Sequence, residues 1–146
     1  AKIVGKPAYK IAELAGVTEG NFAPVNASDM STKANADIYV LGDASQQGDM
    51  PKSGFSANSQ AKVCANAVRG SLTGSKVFPA KFSNTCWSLV HENDGIKVGA
   101  TYKATSEKIA KVDGFISATN ESAELRKATY EESEGWYAGI TADMFG

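Results

Sequence analysis

The stretch Tyr39-Val-Leu-Gly-Asp-Ala44, followed by Met50-Pro-Lys-Ser-Gly-Phe55, decides how this chain reads. With Ile38 added, residues 38–41 form an uninterrupted apolar run that predicts a short strand buried on both faces, as in a parallel sheet. Gly42-Asp43 ends the run abruptly, a loop rich in Gly, Pro and Ser follows, and a helical pattern occupies residues 54–72. Open α/β sheets bind ligands at the carboxyl ends of their strands. The N-terminus of the following helix adds unpaired N–H groups and partial positive charge. Asp43 is therefore a candidate acceptor for a ligand hydroxyl. Ordinary turn chemistry is the competing explanation, because Gly and Asp both favour turns.

Working outward, residues 7–15 predict a short amphipathic helix closed by Gly16 in a C-cap role. Residues 22–37 are polar and turn-rich, with Pro24 and Val25 in an extended piece. Within the 54–72 helix, Ala57, Ala61, Cys64, Val68 and Leu72 recur at three- and four-residue steps, which predicts a narrow stripe for close packing on a sheet. Residues 70–79 have linker composition. Beyond them, 82–90 and 96–102 read as strands joined around Asn93-Asp94-Gly95, and 109–116 as a third antiparallel strand. From Asn120 the pattern turns helical, with Glu121 and Glu124 at the end that the macrodipole favours. Leu125, Trp136, Ile140 and Met144 fall near one face of that helix.

The 146 residues carry a net charge of −1, with 42% hydrophobic and 21% charged residues. That balance describes a globular protein and leaves no electrostatic footprint for nucleic acid. No apolar run approaches the roughly 20 residues of a transmembrane helix. The start, Ala1-Lys-Ile-Val-Gly, lacks an initiator Met and any signal-peptide pattern, and reads as a mature end or a cut within a longer chain. Cys64 and Cys86 are far from CxxC spacing, and with His91 as the one histidine no zinc site is expected. His91 reads as a surface loop residue.

A single βα unit is visible and nothing matches GxGxxG, whereas a doubly wound domain needs several parallel strands. The expected class is thus α/β plus α+β: the C-terminal part of a doubly wound domain at 1–75, then a small antiparallel-sheet-plus-helix domain at 76–146.

Four stretches together resemble one family. They are Val40-Leu-Gly-Asp-Ala-Ser45, Met50-Pro-Lys-Ser-Gly-Phe-Ser-Ala-Asn-Ser-Gln-Ala-Lys-Val-Cys64, Phe82-Ser-Asn-Thr-Cys-Trp-Ser88, and the end Gly135-Trp-Tyr…Asp143-Met-Phe-Gly146. They are similar to the carboxyl-terminal portion of the flavoprotein subunit of flavocytochrome c sulfide dehydrogenase, a two-dinucleotide-binding flavoprotein. The resemblance runs through essentially the whole chain and implies FAD as cofactor. It places Gly42 and Asp43 at the second flavin motif, with Asp43 on the ribityl chain. The helix that begins near Ser53 and Gly54 would face the pyrimidine edge of the flavin, where its dipole stabilises negative charge on the reduced ring. Ser53 also reads as an ordinary N-cap. Phe55 stands where relatives tend to carry Tyr, which keeps the aromatic surface and removes a hydroxyl.

The resemblance also makes Cys86 the second of two redox-active cysteines beside the flavin, the first lying in a part of the family's sequence that these residues lack. Cys64 reads as a core residue, and a Cys64–Cys86 disulfide is the competing idea. Trp136 matches an aromatic position near the flavin and equally reads as a core anchor. Lys52 reads as solvated or as a contact for the flavin or an anionic sulfur species.

Function then follows as an expectation: part of a periplasmic, FAD-dependent sulfide dehydrogenase that passes electrons to a c-type cytochrome subunit. Sulfide, cytochrome and periplasm all come from the resemblance. The 146 residues alone, without the GxGxxG unit and the partner cysteine, are expected to be inactive and colourless. The alternatives are a non-catalytic interaction module derived from such a flavoprotein, and an enzyme of the sulfide:quinone oxidoreductase kind. The short acidic end, Ala142-Asp-Met-Phe-Gly146, disfavours the latter, since those relatives usually need an amphipathic membrane-binding tail.

Overall fold

A computed structural model describes residues 10–146. Helix α1 (Lys10–Leu14) ends at Gly16, whose φ of +69° is the left-handed C-cap expected of it. The proposed start of that helix, residues 7–9, lies outside the described residues. The chain continues through β1 (Ala23–Pro24), a 3-10 turn (Gly42–Ala44), β2 (Ser45–Gln46) and α2 (Gly54–Thr73). Strands β3 (Lys81–His91), β4 (Asp94–Ala104) and β5 (Ile109–Ile116) then precede α3 (Ala123–Phe145).

Two compact units emerge, one running up to Asn84 together with Thr101–Val112, the other combining Thr85–Ala100 with Asp113–Gly146. The division at 75/76 read from composition is a different cut. Strands β3, β4 and β5 form a three-stranded sheet in that order, which agrees with the α+β half of the expectation. Its first hairpin turns on Glu92-Asn93, with Asn93 at φ +58°, a conformation Asn tolerates better than most residues.

The doubly wound half is not displayed. Residues 38–41 are half-buried and belong to no regular strand. Tyr39 bridges Ser31, the Ile38 carbonyl accepts from Thr32 N at 2.7 Å, and Val40 N donates to Met30 O at 3.1 Å. A strand exists only as part of a ladder, and among the described residues this run has one irregular neighbour. Parallel pairing does occur four residues further on, where Ala23 lies opposite Ser45 and Pro24 opposite Gln46. Pro24 and Val25 are extended as expected, Val25 bridging Thr32. Met30 closes the intervening turn at φ +68° and is fully buried, so apolar burial offsets a backbone cost of about 1–2 kcal/mol.

Helix α2 matches its predicted span. Ser53 is the N-cap, accepting from Ser56 N at 3.1 Å, and Gly74 at φ +68° ends the helix. Its buried stripe differs from the one expected, being Ser56, Gln60, Cys64, Ala67 and Gly70, while Leu72 is 80% exposed. Reading apolar residues alone rotated the stripe, because two of the residues turned inward are polar. In the first unit the core gathers Val17, Ala23, Val25, Met30, Met50, Phe82, Tyr102 and Ile109 around this helix.

The second unit is built differently. Asn120 proves to precede the helix, and Ser122 caps α3 by accepting from Leu125 N. Gly95 lets this helix lie directly on β4, since a Cβ there would stand 2.9 Å from Tyr130 N. Arg126 pairs with Asp94, Lys97 with Glu132, and Thr129 is buried. Leu125 and Met144 are exposed, with Trp136 and Ile140 half-buried, so the expected apolar face of α3 is only partly covered.

Candidate functional site

Gly42 opens the 3-10 turn at φ +67°, a left-handed conformation that glycine adopts without strain. Its N–H points into the protein and donates to Gln60 Oε1 at 2.7 Å. Its carbonyl accepts from Ser45 Oγ at 2.8 Å and from the Ser45 N–H. Asp43 follows with its side chain exposed, and the carboxylate joins no hydrogen bond among the described residues. The turn is held through its backbone, which leaves the Asp43 side chain available.

Lys52 is not simply solvated. Its Nζ donates to Asp43 O at 2.7 Å and Ser45 O at 2.9 Å, and lies 4.2 Å from the centroid of the Phe22 ring. Partial burial pushes the Lys52 ammonium below the usual lysine range, and the Asp43 charge opposes that shift. Lys52 therefore clamps the turn that carries Asp43.

At the start of α2, Ser53 Oγ donates to Asn84 Oδ1 at 2.5 Å, and Ser56 Oγ donates to the same oxygen at 3.1 Å. Ser59 Oγ accepts from Ser83 N at 3.1 Å. These bonds seat the first turns of the helix on β3. Gly54 is exposed, and a Cβ added there would meet nothing within 4 Å, so the helix end opens onto free space. Phe55 beside it is half-buried. The first unit thus brings Gly42, Asp43, Lys52, Ser53, Gly54 and Phe55 into one region formed by a turn, a loop and a helix end.

Sequence reasoning passed over the residues that organise this region. Gln60 is fully buried and Gln47 nearly so. Gln60 Nε2 donates to Gln47 Oε1 at 3.0 Å, and Gln47 Nε2 donates to Met50 O at 3.1 Å and Pro51 O at 2.5 Å. The available signal was a polar i, i+4 pair, Ser56 and Gln60, in line with Cys64 on a helix of small residues. Asp49 was passed over too. Gly48 at φ +65° lets the loop approach β5, and Asp49 then accepts from Lys108 Nζ at 2.6 Å and Lys111 N at 3.2 Å. Those donors, Lys108 first, hold the Asp49 carboxyl below its ordinary value.

Cys86 and Trp136 belong to the second unit. Cys86 is exposed on β3, and Trp136 on α3 packs against Trp87 with ring centroids 5.5 Å apart and planes tilted by 31°. This aromatic pair supports the anchor reading of Trp136. Cys64 and Cys86 are both thiols, so the disulfide alternative does not hold. Burial, with the Asp29 charge adding to it, raises the Cys64 thiol, as suits a core residue. His91 is exposed at the end of β3, as expected. Among the described residues no three His, Cys, Asp or Glu side chains converge as metal ligands, and no helix is long and apolar enough to cross a membrane.

Comparison with known families matches residues 79–145 to the model described as flavocytochrome c sulphide dehydrogenase, flavin-binding. Residues 79–145 are similar to that family's flavin-binding domain. The matched stretch contains the whole of β3, β4, β5 and α3, and with them both Cys86 and Trp136. The recognition made from the residues is thereby borne out there, and the family's cofactor is a flavin, consistent with FAD. Upstream, the residues present fit such a group on two observations: the exposed Asp43 carboxylate on a clamped turn, and the open end of α2 at Gly54.

Proposed function

We propose that this chain forms part of an FAD-dependent sulfide dehydrogenase that oxidises sulfide and passes the electrons to a c-type cytochrome subunit. The match of residues 79–145 to the flavin-binding domain of the sulphide dehydrogenase family carries the proposal. Residues 1–75 would close a doubly wound FAD domain, and 76–146 would form a separate half-sheet domain.

In this reading Asp43 accepts hydrogen bonds from the ribityl hydroxyls, and Gly42 supplies the turn that presents it. Ser53, Gly54 and Phe55 set the end of α2 toward the pyrimidine edge, where first-turn N–H groups favour negative charge. Lys52 acts at one remove, by holding the Asp43 and Ser45 carbonyls. Cys86, an exposed thiol, is the chain's sulfur-accepting residue and works with a second cysteine that these 146 residues do not contain. Trp136 offers an aromatic surface fixed by Trp87. The chemistry a bound flavin supplies is acceptance of an electron pair and release of single electrons. Location in the periplasm belongs to the same proposal.

The test is sulfide-dependent reduction of cytochrome c by the protein at its natural length, with Cys86→Ser compared at equal flavin content. Loss of at least about a hundredfold in turnover is expected, as for removal of a nucleophile. Turnover within twofold of the parent would overturn the role of Cys86. Failure of the parent protein to reduce cytochrome with sulfide would overturn the function itself.

A further inference from the structure

We propose that Gln60 is the positioning residue of the flavin site: its buried amide ties the Gly42–Asp43 turn to helix α2 and so sets where the Asp43 carboxylate stands. The inference rests on the reading of Asp43 as a flavin ligand and goes beyond it.

A glutamine with no exposed surface is costly unless its polar atoms are satisfied, and an apolar side chain of equal length would fill the same space. Gln60 makes hydrogen bonds of one fixed polarity. Gly42 can only donate, so the atom facing it must be the carbonyl oxygen, and the amide NH2 then faces Gln47 Oε1 at 3.0 Å and Met50 Sδ at 3.7 Å. Gln47 in turn points its own NH2 at the Met50 and Pro51 carbonyls. Every member is oriented by its neighbour.

The position of Gly42 makes this consequential. At φ +67° its N–H turns away from any ladder, and Gln60 is its acceptor. Ser45 holds the Gly42 carbonyl and Lys52 holds the Asp43 carbonyl, but both belong to the loop itself. Gln60 alone among these contacts comes from α2, six residues beyond Gly54 and therefore about 9 Å along the helix axis. A ligand that meets both Asp43 and the end of α2 needs these two elements in fixed relation, and the Gly42–Gln60 bond is a direct polar link between them.

The experiment measures FAD dissociation from the full-length flavoprotein, with its reduction potential, for Asp43→Ala, Gln60→Met, Gln60→Asn, Gln60→Glu and the Asp43→Ala/Gln60→Met double variant. Asp43→Ala is expected to weaken FAD binding about tenfold, the scale of one lost hydrogen bond to a charged group. Gln60→Met and the too-short Gln60→Asn should each weaken it by a similar factor, and either suffices should the other not fold. Gln60→Glu keeps an oxygen for Gly42 N but sets a second, buried oxygen against Gln47 Oε1, so it should bind FAD no better than Gln60→Asn. The double variant should bind no more than about twofold more weakly than Asp43→Ala alone, because the two residues act through one contact. Additive losses, or a lowered melting temperature with unchanged FAD affinity and potential, would make Gln60 a packing residue and overturn the proposal. An Asp43→Ala protein with parental affinity would instead remove the flavin reading of Asp43, and this inference with it.

Discussion

The Asp43 side chain and the Lys52 side chain occupy opposite roles on the same turn, one exposed, the other bonded to backbone carbonyls. Charge alone suggested that Lys52 could meet an anion, and nothing in a sequence shows that two carbonyls and the Phe22 ring will claim its ammonium first. Lys52→Met is accordingly expected to loosen the turn while sparing α2. Hydrogen exchange should rise at residues 42–46 and stay unchanged at 56–70. The two cysteines differ in the same way, through burial. Cys64 is 8% exposed with its thiol raised by burial, whereas Cys86 is exposed. Alkylation by iodoacetamide in the folded protein should modify Cys86 at least about tenfold faster than Cys64, peptide mass mapping giving the two rates. Equal rates would remove the contrast on which the roles of the two residues rest.

At the scale of elements, caps and turns were the most legible features. Ser53, Gly16 and the third strand Ile109–Ile116 stand where local chemistry put them, because capping and alternation act over a few residues. The inward face of α2 was misread because a polar side chain was assumed to face water. Ser53→Ala removes both the cap acceptor and the donor to Asn84, and should cost about 1–2 kcal/mol in unfolding free energy by urea titration. Gly95→Ala is expected to cost about 1–3 kcal/mol, since the obstacle at 2.9 Å is the backbone of Tyr130 and no flexible side chain can yield. Gly54→Ala meets open space and serves as the control.

For the molecule as a whole, polar clamps between residues distant in sequence add to apolar burial. Asp49 ties the 47–50 loop to β5 through Lys108 and Lys111, and its folded pKa lies below the unfolded one. Its stabilising contribution is therefore fully present above the ordinary aspartate range and is lost as pH falls through the lowered value. Asp49→Asn should unfold at lower urea than the parent at pH 7, and the difference should shrink toward pH 3. A difference independent of pH would place the effect in packing. The 146 residues expressed alone should purify without yellow colour, since they contain no GxGxxG turn to seat the pyrophosphate. Stoichiometric FAD in that preparation would contradict the two-part view of the site.

The sequence by itself determined the spans of α2 and β5, the hairpin β3–β4, the cap at Ser53 and the family to which residues 79–145 match, all of which depend on residues close along the chain or on motif identity. Tertiary structure alone decided that residues 38–41 form no regular strand, that Ser56 and Gln60 face inward, and that Lys52 clamps a turn. The physical reason is the same in each case. A ladder, a buried amide and a chelated ammonium exist only when groups distant in sequence supply the partners, and Gly42 reaches Gln60 across 18 residues of chain.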